Sequence, residues 1–239
     1  MIGASLPAEL PVALPTGPAT IPLLVDAPSR PPRAVLALAH GAGAGKDHPF
    51  LAGLAAALAV LDVVVVRFDF PYVAAGRRMP GPAAHAIATW AAVLAAIDTA
   101  MEDAETDAGG PGRLPVLAAG KSYGGRMASM AAADGAIAPA GLVYLGYPLH
   151  PPGRPDKPRV AHLPQITAPQ LFVEGTSDPF IQPREQLDEA VASCQNAETA
   201  WIDGGGHSFE VKGARQPPDV VGAGLAPTID GWLRRRILD

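Results

Sequence analysis

Four consecutive valines, Val63 to Val66, followed by Arg67 and Phe68, constrain this chain more than any other feature. β-Branched side chains fit a pleated backbone and crowd a helix. A strand that is apolar on both faces must be covered on both, which points to the interior of a parallel sheet. Further apolar runs at 34–39, 114–119, 141–145, 170–174 and 199–202 repeat the pattern. Helical patterns separate them, at about 49–60, 83–103, up to 133, 183–194 and 222–237. This alternation predicts the α/β class, a mostly parallel sheet with helices on both faces. No internal repeat or linker divides the chain, so residues 20–239 read as one domain. Residues 1–19, rich in Pro, Ala and Gly, read as an irregular leader.

The bulk composition supports this reading. Hydrophobic residues make up 49% of the 239 and charged residues 17%, enough apolar surface for a single large core. A net charge of −5 gives no attraction to nucleic acid or to an anionic membrane. The single cysteine, Cys194, cannot form an intrachain disulfide, which fits a reducing compartment. Residues 1–25 carry no Lys or Arg, and prolines at 7, 11, 15, 18 and 22 interrupt any signal-like apolar run. No uncharged apolar stretch approaches the roughly 20 residues of a membrane span. A cytoplasmic protein is expected. No His/Cys pair has the spacing of a zinc site, so neither metal nor cofactor is expected.

Four loops carry chemistry. Gly120-Lys121-Ser122-Tyr123-Gly124-Gly125 matches G-x-S-x-G between a strand and a small-residue helix. Such a turn exposes the serine hydroxyl at a helix N-terminus, where free N–H groups favour negative charge. His40-Gly41-Ala42-Gly43-Ala44-Gly45 follows the strand at 34–39, and its small residues let backbone N–H groups approach a substrate oxygen. The N–H groups of Ala42 and Tyr123 are the candidate oxyanion hole. Nucleotide-binding readings of this loop fail. A P-loop would need Gly at position 40 and Ser or Thr at 47, where His40 and Asp47 stand. The dinucleotide fingerprint fails at Lys46 or at His48, depending on register. Asp178 follows the strand at 170–174, and His207 follows three glycines after the last strand. Ser122, Asp178 and His207 therefore occur in the chain order of a Ser–Asp–His triad, each after its own strand.

The span from about 34 to 237 resembles the α/β-hydrolase superfamily, near its dienelactone-hydrolase-like members. Those enzymes carry cysteine where this chain has Ser122. The chain is similar in more detail to a group of small α/β-hydrolase proteins that includes relatives of an animal NSL chromatin-complex subunit. The matching segments are His40 to Gly43, Arg67 to Tyr72, Gly120 to Gly125, Gly146 to Gly153 and Gly175 to Phe180. Gly206 departs from the pattern, since many relatives place an acidic residue before the histidine. The resemblance implies the α/β-hydrolase fold and the triad, but no defined substrate.

These readings converge on a serine hydrolase that cleaves a carboxylic ester or related acyl bond in a small molecule. The alternative is a non-catalytic binding or scaffold protein of the same fold. Residues 146–168 are too few for a cap domain, so an open site is expected, rimmed by Tyr72, Arg77, Arg78, Tyr147, His150 and Phe180. Arg77 and Arg78 suggest an anionic substrate, or a solvated basic turn. The sequence leaves the oligomeric state open.

Overall fold

The computed structural model describes residues 5–108 and 113–238. The valine run forms strand β4 (Val63–Phe68), and all six of its residues are buried. It lies inside an eight-stranded sheet of order β1-β2-β4-β3-β5-β6-β7-β8. Here β1 is Glu9–Leu14, β2 Gly17–Asp26, β3 Ala34–Ala39, β5 Val116–Lys121, β6 Gly141–Leu145, β7 Gln170–Gly175 and β8 Ala197–Ile202. β1 and β2 run antiparallel, and every pairing from β4 to β8 is parallel.

The pleat sorts each strand's side chains into two cores. Val35, Ala37 and Ala39 of β3, with Val64, Val66 and Phe68 of β4, face one side. That side is covered by α3 (Ala83–Ala108), α4 (Tyr123–Ala133) and α5 (Glu185–Ser193). Leu36, Leu38, Val63 and Val65 face the other, covered by α1 (Pro49–Val60), α6 (Pro218–Gly224) and α7 (Ala226–Leu233). One four-residue helix, α2 (Pro71–Ala74), follows β4. By length and composition, Ala83–Asp103 of α3 could cross a membrane. Instead it lays Trp90, Val93, Leu94, Ile97 and Met101 on the sheet as a core helix.

The N-terminal segment differs from the expectation. Residues 1–4 of the supposed leader lie outside the described residues, but Glu9–Leu14 is a strand and pairs with Gly17–Pro22 through a tight turn. Leu10, Val12 and Ile21 are buried in the main core. The prolines that suggested a leader are accommodated by position, because proline costs a sheet little where only one neighbour needs bonding. β1 is an edge strand, and β2 pairs with β1 through residues 17–22 but with β4 only through 23–26. Pro11, Pro18 and Pro22 therefore avoid the doubly bonded part of the sheet.

Helices α1 and α6 pack almost backbone to backbone. A Cβ on Gly53 would stand 2.7 Å from Asp219 Cα, and one on Gly222 would stand 2.9 Å from the Phe50 carbonyl carbon. The contact matters for the site, because these two helices form one wall of its cavity. The expected C-terminal helix over 222–237 is broken into α6, α7 and a π-turn at Arg234–Leu238.

Candidate active site

The serine turn is built from glycines that allow close approach. A Cβ on Gly120 would stand 2.8 Å from Gly125 Cα, and one on Gly124 would stand 2.6 Å from the His40 carbonyl oxygen. β5 and α4 can therefore meet at a sharp angle. Ser122 sits at the corner with φ 47° and ψ −109°, a backbone state that costs a non-glycine residue of order 1–3 kcal/mol. Its N–H donates to the Leu145 carbonyl at 3.0 Å, and its own carbonyl accepts from Arg126 N–H at 3.0 Å. The strained corner is thus held on both sides.

Three side chains meet above the sheet's carboxyl edge. Nδ1 of His207 lies 2.7 Å from Asp178 Oδ2, and Nε2 lies 2.9 Å from Ser122 Oγ. A carboxylate oxygen accepts, so the imidazole proton belongs on Nδ1 and Nε2 is left to accept from the serine hydroxyl. Asp178 is fully buried, and its other oxygen accepts from Phe180 N–H at 2.8 Å. Phe180 also stacks on the His207 ring, 4.0 Å between centroids. The histidine is therefore oriented by one hydrogen bond and one aromatic face.

The loop at 40–46 is clamped by residues that the motif alone does not explain. Phe70 N–H donates to His40 Nε2 at 3.1 Å, so His40 carries its proton on Nδ1, which donates to the Gly41 carbonyl at 2.8 Å. Burial lowers the His40 pKa and keeps the ring neutral, as this pairing requires. Asp69 accepts from Lys46 N–H at 2.6 Å, and Arg67 donates to the Lys46 carbonyl at 2.7 Å. Arg67 is fixed in turn by two hydrogen bonds to Asp26 of β2. The Arg67-Phe68-Asp69-Phe70 segment thus acts as a brace for the glycine loop. Among the described residues the Ala42 N–H has no protein acceptor. The Tyr123 N–H, first in α4, has no intrahelical partner.

His40→Ala is expected to destabilise the fold by roughly 1–3 kcal/mol, because it leaves the Phe70 N–H buried without an acceptor. Urea unfolding followed by circular dichroism measures this. A change below about 0.5 kcal/mol, the usual range for a surface substitution, would show that the ring does not act as this latch.

A cavity of about 480 Å³ opens beside Ser122. Ala42, Phe50, Leu51, Pro218 and Val221 supply apolar wall, while Glu210, Arg215 and Gln216 bring polar groups to it. Of the six rim residues expected from sequence, only Phe180 lines this cavity. Tyr147 and His150, in the loop after β6, are fully buried. The loop turns inward there, where Tyr147 N–H donates to Glu174 and Tyr147 OH donates to the Arg159 carbonyl. Tyr72 and Arg77 line a separate cavity of about 330 Å³, together with Tyr123. Arg78 is exposed, and lines neither cavity. The expected loop of 146–168 also holds a short 3-10 turn, Leu163–Gln165, tied to α4 by His162 and Ser129.

A mostly parallel sheet, a strained strand–serine–helix corner and a hydrogen-bonded Ser–His pair above the carboxyl edge define the α/β-hydrolase fold. Residues 32–217 match the family described as an alpha/beta hydrolase domain, and the chain belongs to that family. Solved structures agree at the level of fold. An α/β serine hydrolase without a lid from Xanthomonas campestris superposes with a TM-score of 0.66 at 20% identity, over 97% of this chain and 95% of that one. A dienelactone hydrolase from Anabaena variabilis gives 0.63 at 20% identity, over 97% and 99%. A thermophilic esterase from Thermogutta terrifontis gives 0.67 at 14% identity, over 96% and 99%.

Proposed function

We propose that the protein is a serine hydrolase that cleaves a carboxylic ester or related acyl bond in a small molecule, with Ser122, His207 and Asp178 as its catalytic triad. The observation that carries this reading is the unbroken chain of short hydrogen bonds from Ser122 through His207 to a buried Asp178. Ser122 Oγ attacks the carbonyl carbon while His207 Nε2 takes its proton. Asp178 holds the ring in the required tautomer and stabilises the imidazolium that forms. The N–H groups of Ala42 and Tyr123 face the developing oxyanion, each donor contributing about 3–4 kcal/mol by precedent. His207 then protonates the leaving alcohol, and in the second half it activates the water that releases the acyl group.

The cavity narrows the substrate. Its apolar wall suits a short or medium apolar acyl or alcohol group, and its size admits a small molecule. The anionic substrate suggested by Arg77 and Arg78 has no support from their positions; the arginine bordering this cavity is Arg215. We also infer kinship with the small α/β-hydrolase group named above. In its support, the Arg67 to Phe70 motif has a defined task here, bracing the glycine loop.

The test needs no substrate. The purified protein is treated with a fluorophosphonate, and intact mass is read beside Ser122→Ala. One phosphonyl adduct on the wild type and none on the variant is the expected result. A folded wild type that takes no adduct overturns the hydrolase reading in favour of a binding protein.

A further inference from the structure

Lys121 fills the variable position of the serine motif, and the mechanism above gives it no task. Its ammonium donates to the carbonyl of His207 at 2.6 Å, joining residues 86 positions apart. The geometry assigns Lys121 a positioning role: it fixes the backbone of the histidine loop against the serine's own strand and so keeps the His207 ring in line with Ser122 Oγ. The assignment rests on the Ser122–His207 reading above.

The loop needs such a tie. Gly204, Gly205 and Gly206 precede the histidine, and glycine has the most backbone freedom to lose on ordering. The loop's other backbone bonds run within itself, to the end of β8 or to the neighbouring 175–178 turn: Ser177 N–H to Gly205, Gly204 N–H to Thr176 Oγ1, Gly205 N–H to Ile202, Phe209 N–H to Gly206, and Gly206 N–H to Glu210. Those bonds set the loop relative to Asp178. The Lys121 bond sets it relative to the residue beside Ser122. The fit around it is close, since a Cβ on Gly146 would stand 3.0 Å from Lys121 Nζ and 2.9 Å from the His207 carbonyl oxygen. The Phe209 ring lies 5.5 Å from the ammonium and adds a cation–π contact.

The charges around Lys121 also suit a cation. Asp178 after β7 and Glu210 beyond the histidine favour its charged form; Glu174 on β7 does so only when ionised, and burial holds its pKa well above the usual carboxylate range. Burial of the ammonium works against them and is the larger influence, so the Lys121 pKa falls to about 8. Lys121 as a whole is half-buried and borders the cavity. A charged donor makes a stronger hydrogen bond than a neutral amine. The tie is therefore strongest below pH 8 and weakens as pH rises through that value.

The experiment compares the wild type with Lys121→Met and Lys121→Arg from pH 6.5 to 10, using fluorophosphonate labelling rates and the kcat and KM of a short p-nitrophenyl ester. Below pH 8, Lys121→Met is expected to lose about 10-fold or more in kcat and labelling rate with KM within about twofold, since misplacing a catalytic group by 1 Å can cost about 100-fold. The wild type declines above pH 8 and Lys121→Met does not. Lys121→Arg, charged throughout, loses some rate to its larger head in this close fit but keeps more than Lys121→Met and also lacks the decline. It carries the test alone if Lys121→Met does not fold. Wild-type kcat in folded Lys121→Met, a change confined to KM, or the same pH profile in wild type and folded variants overturns the positioning role. A wild type that is never labelled instead overturns the hydrolase reading on which it rests.

Discussion

Asp178→Asn is expected to lower kcat by about 10⁴-fold while leaving the fold intact, the order found when the same exchange is made in a Ser–His–Asp protease. The argument follows from who donates to whom. Oδ1 of Asp178 accepts from Phe180 N–H, so an asparagine keeps that bond by placing its carbonyl oxygen there. Its amide NH₂ then faces His207 Nδ1, 2.7 Å away, where the aspartate presented an acceptor. Two donors cannot share that contact, so the imidazole moves its proton to Nε2. Nε2–H cannot accept the proton of Ser122. Asp178 does not line the cavity, so KM should change little. Steady-state kinetics with a short p-nitrophenyl ester, beside a thermal melt, checks both statements. A fall of less than about 10-fold would mean that Asp178 does not set the tautomer.

From residue 34 on, the order of the strands and of the longer helices was legible in the sequence because its signals are local. Four valines in a row, a serine between glycines and an aspartate just past a strand each declare themselves within a few residues. What could not be read depends on partners far along the chain. The prolines of β1 and β2 suggested an irregular leader, and only the pairing pattern shows that each falls where one face of the backbone needs no bond. Tyr147 and His150 sit in a loop of suitable length for a rim. Whether such a loop turns outward or inward is decided by the buried Glu174, whose carboxylate accepts from Tyr147 N–H. Lys121 occupies a position that the motif leaves free, and its partner is 86 residues away. The far wall of the cavity comes from residues 215–221, a stretch without any motif, carried there by the close packing of α6 on α1.

Gly175→Ala tests whether that long-range geometry governs activity separately from folding. Gly175 ends β7 and starts the turn that carries Asp178. A Cβ there would stand 2.6 Å from the Gly206 carbonyl oxygen and closer still to that of Gly205. These are backbone atoms of the histidine loop, so no side-chain rotation relieves the clash, and either β7 or the loop must move. β7 is paired with β6 through residues 170–173 and with β8 through 170–175, whereas the loop is rich in glycine. The loop should give way and carry His207 away from both Asp178 and Ser122. Displacement by about 1 Å is enough to cost on the order of 100-fold in kcat. Overpacking should also cost about 1–3 kcal/mol in stability. The two effects separate at a temperature well below the melting point, where the variant remains folded. Loss of labelling and of kcat in that folded protein is the expected outcome. A folded Gly175→Ala with wild-type kcat would show that the loop absorbs the methyl group without moving the histidine, and that the close contact between the two turns is a packing feature alone.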